Sequence, residues 1–249
     1  MPRVLVGTSG FSYPAWRGPF YPRDLPPRRM LAFYARTFST VEINNTFYRM
    51  PTPPLLAGWA AETPAGFRFA LKAPQRITHQ QRLRDVAEPV ATFCAVTARL
   101  GAQRGPLLFQ LPPQLGADRP RLADLLAALP RDVEAAVEFR HPSWLDEETY
   151  GLLERHGAAL CIAESEGFAT PIVATAAFGY LRLRRGAYTP AELAAWAARV
   201  AAERRWQRAY VYFKHDDAGR APALAHAFLA QLAGTRQRAA ASSKGRTRP

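Results

Sequence analysis

Eight apolar runs of strand length recur along this chain, separated by helical patterns or long loops, and this recurrence limits the fold more than any other feature. The runs are RVLVGTS (3–9), TVEINNTF (40–47), RFALKAP (68–74), PLLFQLP (106–112), EAAVEFR (134–140), AALCIAE (158–164), GYLRLRR (179–185) and AYVYFKH (209–215). Between them, RRMLAFYARTF, PVATFCAVTARLG, PRLADLLAALP, DEETYGLLERHG and PAELAAWAARVAAE place apolar residues at helical spacing. Only the connection from the second run to the third lacks a clear long helix, and TPPLLAGWAAE offers a short one. Thr189, Pro190 and Glu192 form a capping box with proline at the first helical position, and Gly101 and Gly157 follow helix ends.

Strands alternating with helices imply parallel pairing through crossover connections. Eight such units predict an α/β fold of the TIM type, a closed barrel, rather than an open doubly wound sheet. No Gly-x-Gly-x-x-Gly fingerprint and no Gly-Lys-Ser/Thr phosphate loop follows a strand, which argues against the nucleotide-binding open sheets. One barrel accounts for residues 1–234 as a single domain and leaves 235–249 as a basic tail.

Apolar residues make up 48% of the 249, enough for a sizeable core, yet no apolar run is long enough to cross a bilayer. The opening MPRVLVGTSG lacks the basic region, apolar segment and cleavage site of a signal peptide. Cys94 and Cys161 match no metal spacing and read as core thiols. A cytoplasmic protein with no membrane contact is the expectation. The net charge is +13, with five of the basic residues and no acid in TRQRAAASSKGRTRP. That composition predicts a disordered arm, either one that adds sequence-independent affinity for nucleic acid or a solvated tail that aids solubility.

In a TIM-type barrel the active site lies at the C-terminal ends of the strands. Side chains alternate inward and outward along each run, so the parity of the exits can be read. Glu42 and Asn44 share a face on the second run, and Lys72 ends the third. Gln110 ends the fourth, Glu138 and Arg140 share a face on the fifth, and Glu164 ends the sixth. Arg182 and Arg184 share a face on the seventh, and Lys214 ends the eighth. From the second onward, every strand places a polar or charged residue at the same end. An isolated buried charge is costly, so a ring of both signs is the arrangement that persists. A charged pocket is the expectation.

The pieces VGTSGFSYPAWRGPFYP, FSTVEINNTFYRMP, FRFALKAPQRITH, GPLLFQLPP, AVEFRHPSW and YVYFKHDDAG run in order through nearly the whole chain. Together they resemble the YecE-like family, domain of unknown function 72, and the resemblance implies a TIM-type barrel without implying an activity. Most members of that family end the seventh strand on His-Gly and the eighth on Asn-Asn. This chain has RLRRG and YFKHDD there, so it is similar to the family in a more basic form.

Three chemistries compete for the pocket. Loops after the last two strands of such barrels often bind phosphate, and here they hold Arg182, Arg184, Arg185, Lys214 and Arg220. Glu42 and Glu138 are the candidates for acid–base work. His79, His141, His215 and Asp216 are lesser candidates for a metal, but no His-x-x-x-His spacing appears, so no metal is assigned and the cofactor is left open. Asn44, Lys72, Gln110, Arg140, Arg182, Arg184 and Lys214 are expected to bind substrate. Trp16, in the aromatic loop FSYPAWRGPFYP, and Trp144 are expected to wall the pocket, the alternative for that loop being self-packing into a small core over the barrel's top. The reading is an enzyme acting on a phosphorylated or otherwise anionic substrate, with nucleic acid among the candidates. Its rival is a non-catalytic nucleic-acid-binding protein that uses the barrel as a platform. Charge focused in the mouth favours the enzyme, and charge spread over the outer helices favours the binder.

Overall fold

The protein is described by a computed structural model over residues 1–165, 167–214 and 218–244. Its strands are β1 (Arg3–Thr8), β2 (Thr40–Ile43), β3 (Arg68–Lys72), β4 (Arg104–Gln110), β5 (Ala135–Glu138), β6 (Ala159–Ser165), β7 (Phe168–Ala169), β8 (Phe178–Leu183) and β9 (Arg208–Phe213). Eight of them form a parallel sheet in the order β1-β9-β8-β6-β5-β4-β3-β2, and the short β7 pairs antiparallel with the end of β6. All eight apolar runs are therefore strands of one barrel. The first and last run side by side, in register from Arg3 opposite Arg208 to Thr8 opposite Phe213.

The seam between β1 and β2 is made differently from the other joints. A parallel bridge joins Ser9 to Glu42, and the Gly10 N–H donates to the Glu42 carbonyl at 2.7 Å. One step earlier, the Tyr34 hydroxyl stands in for the ladder: it accepts from the Thr8 N–H at 2.8 Å and donates to the Thr40 carbonyl at 3.1 Å. Gly7 lets the two strands come this close, because a Cβ there would lie 2.0 Å from the Thr40 carbonyl oxygen. The barrel closes on a glycine and a tyrosine.

Helices α1 (Met30–Thr37), α2 (Pro53–Glu62), α3 (Ala87–Thr97), α4 (Arg119–Ala127), α5 (Glu147–Arg155), α6 (Pro190–Ala202) and α7 (Arg220–Lys244) surround the sheet. The α6 capping box forms as its sequence predicts, and α2 is the short helix expected between the second and third strands. Asp118 and Asp146 cap α4 and α5 by accepting backbone N–H groups at 3.2 and 2.9 Å. Of the basic tail, residues 235–244 continue α7, and residues 245–249 lie outside the described residues. Among the described residues no helix is long and apolar enough to cross a membrane.

Two apolar regions hold the fold. The larger fills the space between sheet and helices, and the smaller lies inside the barrel. Inside, β8 and β9 supply Phe178, Tyr180, Tyr210 and Tyr212, while β3, β5 and β6 supply Ala70, Ala136, Ala159, Cys161 and Ala163. Large residues on one side thus meet small ones on the other, and the interior is filled. The tyrosine hydroxyls find partners in Glu42, Glu134 and Thr40. This plug carries the charged layer above it.

Candidate active site at the barrel mouth

Because alternate residues of a strand face inward, one position beyond the tyrosine layer puts Glu42, Gln110, Glu138 and Arg182 into the barrel at the C-terminal ends of β2, β4, β5 and β8. Arg182 joins them. Its Nη2 donates to Oε1 of Glu42 at 2.8 Å, and its Nη1 bonds Oε2 of Glu138 and lies 3.3 Å from Oε1 of Gln110. Glu42 also accepts from Ser9 and Tyr180, each at 2.7 Å, and from Asn44 at 3.3 Å. Glu42 and Glu138 are fully buried, and Arg182 is 2% exposed.

Burial alone would raise both carboxyl pKa values, but the arginines outweigh it. Arg182, with the Tyr180 and Ser9 hydroxyls, holds Glu42 below its ordinary value. Arg182, Arg184 and Arg140 together bring Glu138 down to about 2. Burial opposes the Arg182 charge, but Glu138 and Glu42 reverse that and raise its pKa well above the ordinary value. All three are fixed charges at any physiological pH.

Above this layer sit the cations that face the opening. Arg140 donates through Nε to Oε1 of Glu138 at 3.0 Å and through Nη2 to Gln110 at 3.3 Å. Arg184 reaches the same Glu138 oxygen at 3.2 Å, and burial lowers its pKa. The Nε atoms of Arg182 and Arg184 are buried without a hydrogen-bond partner among the described residues. Lys72, at the end of β3, holds its ammonium 3.8 Å from the centre of the Phe47 ring. Burial and the Arg182 charge push its pKa down to about 8, although Glu138 and Glu42 pull the other way. His79 lies in a single π-helical turn, Arg76–Gln80, and packs edge-on against the same Phe47 ring, with 4.8 Å between ring centres. Burial, then Lys72 and Arg140, lower its pKa. Two buried carboxylates thus stand against four cations.

Several expected residues lie elsewhere. Trp144 is fully buried, stacks on Phe139 at 4.8 Å and donates to the Leu115 carbonyl at 2.8 Å. Trp16 is fully buried among Tyr13, Phe20 and Tyr21. Both indoles are packed into the larger core, Trp16 among the aromatics of its own loop and Trp144 against Phe139 and the loop after β4. Arg182 is held by Glu42, Glu138 and Gln110, and Gln110 accepts from both Arg140 and Arg182 through its Oε1. Glu164 points away from the interior, where its Oε2 accepts from Trp196 on α6 at 3.1 Å. Lys214 is exposed beyond β9. His141 caps a short turn by pairing with Ser143 at 2.7 Å. Among the described residues no three His, Cys, Asp or Glu side chains gather as a metal site needs; His215 and Asp216 lie outside those residues.

Sequence reading missed the supports of the network, although parity pointed to them. Tyr180 shares a face with Arg182, and Ser9 continues the inward face of β1. It also missed a cavity of about 600 Å³ beside the mouth, lined in part by Phe11, Tyr13, Asn45, Arg49 and Trp59. Asn44 lines this cavity too, and its amide bonds Glu42, so the cavity and the charged layer share a wall.

A sequence model of the family described as "Protein of unknown function DUF72" matches residues 5–248. The chain is similar to UPF0759 protein YecE of Escherichia coli K12, at 32% identity over 142 residues, which is 57% of this chain and 50% of that protein. It is similar to UPF0759 protein YunF of Bacillus subtilis 168, at 29% identity over 62% of this chain and 58% of that one. The matched stretch therefore spans little more than half of either relative. Among solved structures, a DUF72 family protein of Thermotoga maritima MSB8 superposes with a TM-score of 0.79 at 29% identity, over 92% of this chain and 99% of that one. A DUF72 family protein of Enterococcus faecalis V583 superposes at 0.75 with 19% identity, over 93% of this chain and 98% of that one, a likeness of fold.

Proposed function

The chain belongs to the DUF72 family, and on that premise we propose that its barrel mouth is the active site of an enzyme acting on a small anionic substrate, a phosphate ester or a carboxylate. The observation that carries this reading is the charge imbalance of the mouth. Lys72, Arg140, Arg182 and Arg184 surround Glu42 and Glu138, so the cations exceed the carboxylates. A purely structural cluster gains nothing from uncompensated buried charge. An anion from solution supplies the missing negative charge.

The residues then divide by role. Glu42, Glu138, Gln110 and Arg182 form a fixed floor, and their protonation states do not change near neutral pH. Arg140 and Arg184 present planar forks suited to phosphate or carboxylate oxygens. Lys72 is the group that titrates close to physiological pH, so proton transfer falls to it rather than to Glu42 or Glu138. The adjoining cavity, with Tyr13, Asn45 and Trp59 in its wall, takes the uncharged part of the substrate.

Thermal melting with inorganic phosphate and with pyruvate tests this reading. Wild type gains stability with at least one of them, and Arg140→Ala and Arg184→Ala lose that gain. A wild type indifferent to both anions that instead melts higher with a short oligonucleotide would favour the non-catalytic nucleic-acid binder.

A further inference from the structure

We infer that Lys72 is a covalent site, whose amine condenses with the carbonyl carbon of a substrate anchored by Arg140 and Arg184 through its carboxylate or phosphate. The inference rests on the anion reading of the mouth and names the substrate class within it: an oxo acid or an oxo phosphate.

The first argument is one of residue choice. Of the 33 basic residues only three are lysines, Lys72, Lys214 and Lys244, and the rest are arginines. A chain that fills its basic positions with arginine places one lysine in the charged layer of its barrel. Arginine serves as well or better for holding an anion, but its guanidinium does not lose its proton and does not attack carbonyl carbon. The amine does both.

The second argument is the surroundings of Nζ. Both nearby carboxylates are taken: Glu42 by Arg182, Ser9 and Tyr180, and Glu138 by Arg140, Arg182 and Arg184. Among the described residues Lys72 forms no ion pair, and its Nζ lies over the face of Phe47 at 3.8 Å from the ring centre. An aromatic face attracts the ammonium but accepts no strong hydrogen bond, so it leaves the nitrogen open on its other side. A partly buried amine among guanidinium groups is the setting that frees the base form at neutral pH. His79, on the edge of the same ring and held toward its neutral form, offers an imidazole for the proton transfers.

The chemistry balances without an oxidant, reductant or metal. The Nζ lone pair forms a C–N bond to the carbonyl carbon as the C=O π bond opens, and a proton passes from the nitrogen to that oxygen to give a neutral carbinolamine. The carbinolamine then takes a proton from solvent and loses that hydroxyl as water, and C=N replaces C=O. The iminium draws electrons from the adjacent carbon, which is what an isomerisation, decarboxylation or carbon–carbon cleavage at that carbon needs.

The test is reductive trapping on the full chain. Pyruvate and dihydroxyacetone phosphate are each offered with cyanoborohydride, which delivers hydride to the iminium carbon and leaves a stable secondary amine. Intact mass and peptide mapping then locate the adduct. Lys72 is expected to be labelled roughly tenfold or more faster than Lys214 by at least one probe, because Arg140 and Arg184 hold the probe's carbonyl beside it. Lys72→Met and Lys72→Arg both abolish that adduct, the second while keeping the charge. Equal labelling of Lys72 and Lys214, or none, overturns the inference. If a probe raises the melting temperature through the arginines yet leaves Lys72 unlabelled, the covalent step falls and the anion site stands. If neither effect occurs, both fall. Labelling of Lys72 without a melting shift upholds the nucleophile and removes the anion pocket.

Discussion

Arg140 and Arg184 reach the same oxygen, Oε1 of Glu138, at 3.0 and 3.2 Å. Two guanidinium groups sharing one acceptor repel each other, and the second Glu138 oxygen is already held by Arg182. The carboxylate is therefore oversubscribed, which gives each arginine around it a different weight.

Arg182 is the arginine the fold needs. Replacing it with leucine leaves Glu42 and Glu138 buried without their shared counter-charge, at a cost of about 3–5 kcal/mol. Arg184→Ala leaves Glu138 two partners and relieves repulsion, so stability changes by less than about 1 kcal/mol. Urea unfolding of the two variants side by side checks this. Equal losses would mean that the floor and the opening are one structural unit.

Lys72 predicts a pH dependence of stability. Its pKa falls from 10.5 to about 8 on folding. Below pH 8 both states are protonated and the folded state bears the full penalty. Between pH 8 and 10.5 the unfolded chain holds a proton the folded one has lost, so stability rises with pH. Lys72→Met therefore melts higher than wild type at pH 7, and the gap closes by pH 10.5. A gap that stays constant over this range would show that Lys72 is not destabilised by its site.

Glu138 acts at the other end of the scale. Its pKa drops from 4.5 to about 2 on folding, so its contribution is complete above 4.5 and fades as pH falls toward 2. Glu138→Gln should lower stability by about 3–5 kcal/mol at neutral pH and flatten the acid limb of the melting curve. Melting temperatures from pH 7 to pH 2 give both quantities.

The β1–β2 seam supplies a test of closure. Tyr34→Phe strands the Thr8 N–H and the Thr40 carbonyl, which costs about 1–3 kcal/mol. Gly7→Ala forces its Cβ against the Thr40 carbonyl oxygen and costs at least about as much. Because both changes open one joint, their double variant loses less than the sum. Full additivity in chemical unfolding would show that the two residues act on separate features.

The barrel was legible because period-two runs and helical spacing are local patterns, and eight repetitions admit few topologies. The strand-end charges were legible for the same reason: Glu42, Glu138 and Arg182 share inward parity. Parity misled at Glu164, because Ala159, Cys161 and Ala163 are the inward residues of β6 and Glu164 faces α6. The loop tryptophans were legible only as a choice between covering the mouth and self-packing. Which holds depends on packing in space: Trp16 packs on Tyr21 of its own loop, and Trp144 stacks on Phe139 and bonds Leu115 of the loop after β4. The unequal sharing of carboxylates that sets Arg182 apart from Arg184 is likewise a matter of distances that no spacing encodes.

The tyrosines under the charged layer set the direction of traffic. Tyr180, Tyr210 and Tyr212 fill the lower barrel, and Tyr180 bonds Glu42 directly above it. Among the described residues these side chains fill the interior, so the barrel is a cup rather than a pipe. On the proposed reading of the mouth, whatever enters at the strand ends departs by the same rim, and a product still anionic meets Arg140 and Arg184 again on its way out. Release rather than chemistry is then the step that a tighter grip on the anion would slow.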